Sequence, residues 1–216
     1  MKLVYFNGRG FAEVSRLILA FVNEDYEDFR YPLEVIDWKT HNMKKEEFDN
    51  DKASGKLKRS LNKLPYLEID GNIIPQSKAI ERFLARRFNL MGTNDIEAAR
   101  IDGICEVVRD VKDMYQSVRR LPEDEKESGM TKWFGETLPN KLSDLEEILG
   151  DDSYSVGNQS SLADIILYAL ICLFFDNKDA SSEATNNCPR LSSIINRIKN
   201  DSNIINWINT RPLTAF

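Results

Sequence analysis

The chain has 216 residues, of which 42% are hydrophobic and 30% are charged, a composition typical of a soluble globular protein with enough apolar material for a core. Its 29 basic and 35 acidic residues give a net charge of −6, so the chain lacks the basic bias that usually accompanies nucleic-acid binding. With only 10 glycines and no low-complexity tract, the chain is neither collagenous nor disordered.

The longest apolar run covers residues 165–175 and is too short for a bilayer span, which needs about 20 residues. We interpret it as a buried core helix and expect no membrane partner. The apolar stretch at residues 3–6 is too short for a signal peptide. Because Cys105, Cys172 and Cys188 are widely spaced and form no CxxC pair, we expect a reducing, cytoplasmic location.

Residues 1–88 alternate between strand and helix signals. A short strand at residues 3–6 is followed by apolar residues at helical spacing between Val14 and Val22. The segment from Tyr26 to Leu33 is rich in strand formers, and Asp70-Gly71 predicts a tight hairpin turn. Ser77 then begins a helical pattern. The predicted order is therefore β-α-β, a connecting segment, and β-β-α.

The strand signal ends near residue 93, and helical spacing continues to the C-terminus. Pro139 predicts a kink, Ser161 and Asp164 predict a capping box, and Pro189 suits the first turn of a helix. We therefore expect an α/β domain at residues 1–88, a linker at 89–94 and an all-helical domain at 95–216.

The segment at residues 39–60 is polar, carries seven basic and four acidic residues, and shows no periodicity. We interpret it as a solvated loop, because charge runs are usually exposed. Contact with a partner or an anionic ligand is the alternative.

Familiar catalytic motifs are absent from the sequence. Gly8-x-Gly10 lacks the third glycine of the dinucleotide fingerprint, and neither a P-loop nor a GxSxG motif occurs. His41 is the only histidine and has no partner for a triad or a metal site. This pattern favours an enzyme that takes its reactive group from a cosubstrate and requires no metal.

Three motifs then occur in order, namely Tyr5–Gly10, Lys63–Gly71 and Pro75–Ser77, with Arg211-Pro212 near the C-terminus. Together they resemble the cytosolic glutathione transferases, most closely the sigma class. The resemblance covers nearly the whole chain except residues 39–60. It implies a thioredoxin-like N-terminal domain, an all-helical C-terminal domain and glutathione as cosubstrate.

The resemblance also implies roles for individual residues. Tyr5 would donate its hydroxyl hydrogen to the glutathione sulfur, which would attack small hydrophobic electrophiles. Leu64-Pro65 matches a cis peptide bond whose flanking backbone pairs with the cysteinyl part of glutathione. Gln76 and Ser77 match residues that hold the γ-glutamyl end, although Ser77 also suits a plain helix cap.

Further residues are assigned more loosely. Trp38 and Lys63 match residues near the glycyl end, with ordinary packing and a solvated lysine as the alternatives. Asp110 matches a residue that reaches across a homodimer to the γ-glutamyl amine, with a solvent-facing charge as the alternative. Phe6 and Tyr115 are expected to form the hydrophobic second-substrate site.

The sequence departs from the family pattern at two places. Phe11 stands where prostaglandin synthase-type members have an arginine, and the segment at 39–60 is longer than the family's. Lys39, Lys44 and Lys45 are all candidates for a glycyl-carboxylate lysine. Glutathione-dependent prostaglandin isomerisation and a non-catalytic crystallin-like or ligand-carrier role are the alternative functions.

Overall fold

The computed structural model describes residues 1–37, 42–149 and 154–214. It forms two compact units: Met1 to Leu84 with the C-terminal segment that starts at Asn206, and Ala85 to Ile205. The predicted domain boundaries follow composition rather than contacts, and they stay predictions. Trp38, Lys39 and His41 lie outside the described residues.

Before its C-terminal segment, the described part of the first unit contains a four-stranded mixed sheet, a two-stranded sheet and three α-helices. Its elements before the C-terminal segment are β1 (Lys2–Phe6), α1 (Glu13–Phe21), β2 (Glu27–Tyr31), β3 (Glu34–Asp37), β4 (Asn42–Lys44), α2 (Glu46–Ala53), β5 (Tyr66–Ile69), β6 (Asn72–Pro75) and α3 (Ser77–Arg87). Over the described ranges the main sheet has the order β2-β1-β5-β6. Strand β2 is parallel to β1, whereas β5 and β6 are antiparallel to their neighbours. The predicted alternation and the thioredoxin-like architecture are confirmed.

Local sequence signals explain several of these elements. Strand β1 buries Leu3 and Val4 completely, and α1 turns the apolar stripe from Val14 onward into the core. The β5–β6 turn has positive φ at Asp70 (50°) and Gly71 (74°), as the predicted hairpin requires.

The described part of the segment at residues 39–60 is not the loop that we predicted. It contains β4, α2 and a 3₁₀ turn at Lys58–Ser60. Two apolar side chains anchor it, since Phe48 is 7% exposed and Leu57 is 1% exposed in one core cluster. Asp51 also accepts a hydrogen bond of 2.6 Å from the Tyr31 hydroxyl. Two widely spaced anchors leave no periodicity in the sequence, which is why the pattern was misread.

The second unit is helical. Its helices are α4 (Asp95–Arg119), α5 (Glu123–Lys132), α6 (Leu138–Leu149), α7 (Leu162–Tyr168), α8 (Lys178–Glu183) and α9 (Pro189–Lys199), and α10 (Ser202–Thr210) then leads into the C-terminal segment of the first unit. Among the described helices, none combines the length and apolarity that a membrane crossing requires.

Two π-helical turns occur among the described helices of this unit. The apolar run at 165–175 begins in α7 and continues as a π-helical turn at Ala169–Phe174. A second π turn, Trp133–Thr137, precedes α6. There Leu138 N–H bonds to the Trp133 carbonyl, so the helix widens just before Pro139, which lacks a backbone donor.

Two helix starts agree with the sequence signals. Ser161 and Asp164 form the predicted capping box at the start of α7. Pro189 opens α9, as predicted.

Candidate active site

Strand register brings the three sequence motifs to one edge of the main sheet. Val4 pairs with Tyr66, and Tyr66 pairs with Pro75. Val4, Tyr66 and Pro75 thus form one row across the sheet. The next position toward the end of β1 is occupied by Tyr5 on β1, Pro65 before β5 and Gln76 after β6. Motifs that are separated along the chain therefore meet where β1 ends, β5 begins and α3 begins.

Tyr5 is buried at this edge, with 7% of its surface exposed. Its hydroxyl oxygen accepts a hydrogen bond of 3.2 Å from the Phe11 backbone N–H. Because the oxygen accepts there, the phenolic hydrogen can point elsewhere and donate to a ligand. The loop backbone packs closely on this ring: a Cβ on Gly10, at φ +38°, would collide with the hydroxyl.

The electrostatics around Tyr5 favour a neutral phenol next to a fixed positive charge. Burial raises the pKa of Tyr5 above its ordinary value, although the Phe11 N–H and the charge of Arg16 act in the opposite direction. The phenol therefore keeps its proton at neutral pH. The Arg16 guanidinium carbon lies 5.9 Å from the Tyr5 ring centroid and its side chain is fully buried.

The other N-terminal candidates surround the same edge. The Leu64-Pro65 peptide bond is cis, which confirms the expected isomer. Gln76 is exposed with φ of 74° and stands immediately before α3, which begins with the half-buried Ser77. The first turn of a helix offers backbone N–H groups and a positive dipole end to a carboxylate. Lys63 is exposed beside Leu64.

The candidates near the glycyl end are only partly described. Trp38 and Lys39 fall outside the described residues. Lys44 lies 3.6 Å from Glu46, and Lys45 lies 2.9 Å from Asp49. Both lysines already have acidic neighbours, so neither stands out as a ligand.

The hydrophobic-site candidates have packing roles in the structure. Phe6 is partly buried, and its ring lies 5.0 Å from that of Phe48. Tyr115 is 1% exposed, with its ring centroid 4.9 Å from Phe175 and 5.4 Å from Trp133. An edge of Tyr115 borders a cavity of about 370 Å³, whose other lining residues are Met130, Thr131, Phe134, Asp176 and Asn177. Their role toward a second substrate stays a prediction.

Asp110 is exposed on α4, a position that suits either a partner contact or a plain solvent-facing charge. Sequence reasoning attached no role to Glu13 or Arg16, yet both are buried on α1, and Arg16 faces the Tyr5 ring. Their only signal was an acid–base pair at i, i+3 inside an apolar stripe. Phe11, by contrast, is 71% exposed beside the Tyr5 hydroxyl contact.

Comparison with known sequences identifies the family. The sequence model of the glutathione S-transferase N-terminal domain matches residues 1–86, and that of the C-terminal domain matches residues 109–211. The chain is 32% identical over 217 residues to hematopoietic prostaglandin D synthase of Gallus gallus, with 100% of this chain and 98% of the relative covered. It is 29% identical over 220 residues to S-crystallin SL11 of Nototodarus sloanii, with 99% and 98% covered.

Solved structures agree with this assignment. Rat hPGDS complexed with a quinoline superposes with a TM-score of 0.75 at 28% identity, covering 100% of this chain and 98% of the other. The monomeric glutathione S-transferase Na-GST-3 of Necator americanus gives 0.77 at 24% identity with the same coverage, which supports the fold alone. The chain therefore belongs to the glutathione S-transferase family and is a glutathione transferase.

Proposed function

We propose that Tyr5 activates the glutathione thiol by donating a hydrogen bond to its sulfur, and that the resulting thiolate attacks small hydrophobic electrophiles. The Phe11 N–H···O contact to the Tyr5 hydroxyl carries the proposal. It fixes the oxygen and occupies it as an acceptor, so that the phenolic hydrogen is free to be donated.

The free energy of a hydrogen bond from Tyr5 is comparable to that needed to ionise the glutathione thiol at neutral pH. A free cysteine-type thiol has a pKa of about 8.5, and lowering it by about 2 pH units takes about 2.7 kcal/mol. A hydrogen bond to a charged group contributes roughly 1.5–3 kcal/mol. A single phenol donor, helped by the buried charge of Arg16, is thus sufficient to make the thiolate the main form at neutral pH.

The bond changes follow from thiolate chemistry. With a chlorodinitrobenzene, the sulfur forms a C–S bond at the ring carbon that carries chlorine, and chloride leaves. With an organic hydroperoxide, the sulfur attacks the peroxide oxygen and an alcohol leaves. A second glutathione then displaces water from the oxidised sulfur, which yields glutathione disulfide.

For binding, we propose that Gln76 and Ser77 hold the γ-glutamyl group at the start of α3 and that the Leu64 backbone pairs with the cysteinyl part. Convergence of these residues at the Tyr5 edge of the sheet supports the assignment. Lys63 and Trp38 would contact the glycyl end, in keeping with the family pattern.

We further propose a cytoplasmic, sigma-class detoxification enzyme that acts as a homodimer, with Asp110 of each subunit reaching the other's glutathione. Full-length similarity to a prostaglandin D synthase and to an S-crystallin supports the class. Sedimentation velocity tests the dimer, since one relative is described as monomeric.

Substitution of Tyr5 tests the mechanism. We expect Tyr5→Phe to lower kcat/KM with glutathione and chlorodinitrobenzene by about 10- to 100-fold, because one hydrogen bond to a charged sulfur is lost. Tyr154→Phe is the matched control, since it removes a phenolic hydroxyl from the other unit. Full activity in a folded Tyr5→Phe variant would exclude the mechanism.

Glutathione-dependent isomerisation of a prostaglandin endoperoxide is a second candidate, favoured by the 32% identity to a prostaglandin D synthase. The exposed Phe11 in place of an arginine argues against it. Product analysis on the endoperoxide separates the two activities. Retention on immobilised glutathione without turnover of any electrophile would instead indicate a crystallin-like or carrier role.

A further inference from the structure

The C-terminal arginine motif has a structural partner at the start of α1. Glu13 is the first residue of α1 and is buried. Its Oε1 accepts a hydrogen bond of 3.2 Å from Trp207 Nε1 and another from the Arg211 guanidinium. One buried carboxylate therefore joins the C-terminal segment to the helix that follows the Tyr5 loop.

Arg16, one turn further along α1, connects Glu13 to that loop. Its Nη1 donates a hydrogen bond of 2.6 Å to the Gly8 carbonyl and lies 3.8 Å from Glu13 Oε2. Its Nε donates to Asp28 Oδ1 at 3.2 Å. The same guanidinium faces the Tyr5 ring, so one side chain contacts the loop, the carboxylate and the catalytic tyrosine.

The charges packed around this site do not cancel. Asp28 on β2 is shared between Arg16 and Arg30, with the Arg30 contact at 2.6 Å. Glu13 is likewise shared between Arg16 and Arg211. Three arginines therefore face two carboxylates. In addition, neither the buried Nη2 of Arg16 nor Oε2 of Glu13 has a hydrogen-bond partner among the described residues, so the contact of 3.8 Å between Glu13 and Arg16 is not a hydrogen bond.

We propose that Arg211 is a positioning residue for glutathione activation. By binding Glu13, it prevents that carboxylate from neutralising Arg16, whose charge then stabilises the thiolate beside Tyr5. It also fixes the start of α1, and with it the loop that carries the Phe11 N–H. The inference rests on the proposed role of Tyr5.

The test measures kcat/KM with glutathione and chlorodinitrobenzene across the pH range in which the bound thiol ionises. We expect Arg211→Met to lower kcat/KM about threefold at about pH 6.5 and to leave it unchanged at about pH 9, where the thiol is ionised without help. Arg211→Lys should restore most of the loss. Lys199→Met, at an exposed site on α9, is the control for removal of one positive charge.

Glu13→Gln should change kcat/KM in the opposite direction. It therefore distinguishes an electrostatic role of Arg211 from a purely structural one. The amide oxygen still accepts from Trp207 and Arg211, but the negative charge near Arg16 is gone, so we expect kcat/KM at about pH 6.5 to rise. In the Glu13→Gln background, Arg211→Met should change kcat/KM little, because the carboxylate through which Arg211 acts is gone. The Glu13→Gln single variant still tests the inference if Arg211→Met folds poorly.

Two kinds of failure can be told apart. Equal losses at both pH values, or a fall in Glu13→Gln, would overturn the electrostatic role of Arg211. If Tyr5→Phe is impaired while Arg211→Met matches the wild type throughout, only the present inference fails. If Tyr5→Phe is fully active, the proposed function itself fails.

Discussion

Gly10 packs so closely on Tyr5 that the position has no space for a side chain. Its φ of +38° already disfavours any side chain, and a Cβ there would collide with the Tyr5 hydroxyl. Gly71 also has positive φ, at +74°, but nothing lies within 4 Å of its Cβ position. The two glycines therefore separate backbone strain from displacement of the Tyr5 hydroxyl.

We predict that Gly10→Ala lowers kcat/KM about 10- to 100-fold, since a displacement of about 1 Å at a reacting group costs on that order. Gly71→Ala should lower the free energy of unfolding by about 1 kcal/mol and leave kcat/KM unchanged. Steady-state kinetics and urea denaturation of both variants measure these effects. Equal catalytic losses in the two variants would mean that strain, not the position of Tyr5, is responsible.

Only part of the candidate site could be recognised from the residue types in the sequence. Tyr5 and Pro65 stood in motifs that could be recognised locally, and the cis bond was expected from one of them. Glu13 and Arg16 could not be recognised, because charged residues on an amphipathic helix usually face solvent. Arg211, which binds Glu13, lies 198 positions away along the chain, and no local pattern encodes that separation.

Elements with strong local signals were predicted well, because each depends on neighbours in the chain. The Asp70-Gly71 hairpin, the Pro189 helix start and the Ser161–Asp164 capping box are examples. Helix α2 was missed since its stability depends on tertiary anchoring of Phe48 rather than on periodicity. Its acidic first turn, Glu46, Glu47 and Asp49, was the only available signal for a helix start.

The capping box of α7 offers a prediction at the scale of an element. The Asp164 carboxylate is fully buried and accepts four hydrogen bonds, from the backbone N–H and hydroxyl of both Ser155 and Ser161. Asp164→Ala leaves several buried donors unpaired, each costing about 1–3 kcal/mol. We therefore expect the free energy of unfolding to fall by at least about 3 kcal/mol.

Asn94→Ala is the matched comparison for this helix cap. Asn94 caps α4 by accepting from Ile96 N–H and Glu97 N–H, but it is exposed, so water replaces the lost bonds and the cost is about 1 kcal/mol. Chemical denaturation of both variants gives the two values. Similar losses would show that burial adds nothing to the cap at Asp164.

At the scale of the whole molecule, sheet order and register decide which motifs meet. The sequence predicted the strand that carries Tyr5 and the hairpin that Leu64 and Gln76 flank, but not the pairing of Val4 with Tyr66 that aligns them. Pairing between distant strands depends on global packing, which local signals do not specify. The family resemblance instead implied that these residues bind one ligand.

Several tyrosines with raised pKa values lower the stability of the folded protein at alkaline pH. Burial raises the pKa of Tyr5, Tyr26, Tyr31, Tyr66 and Tyr115 above the ordinary value of about 10. Above about pH 10 the unfolded chain loses these protons while the folded protein keeps them. The unfolded state is then favoured, so this contribution to stability is present below about pH 10 and is lost as the pH rises toward the folded-state pKa values.

Tyr31→Phe isolates one member of this group. Tyr31 is 1% exposed, and its hydroxyl donates to Asp51 at 2.6 Å, so near pH 8 the variant should be less stable by about 1 kcal/mol. Between about pH 10 and 11 the wild type should lose up to about 1.4 kcal/mol more than the variant, because only the wild type retains a proton on Tyr31. Urea denaturation across this range should therefore show the two free energies of unfolding converging. Lysines titrate in the same range, but both proteins contain them, so they do not affect the difference. Parallel curves up to about pH 11 would show that Tyr31 ionises in the folded protein as readily as in the unfolded chain.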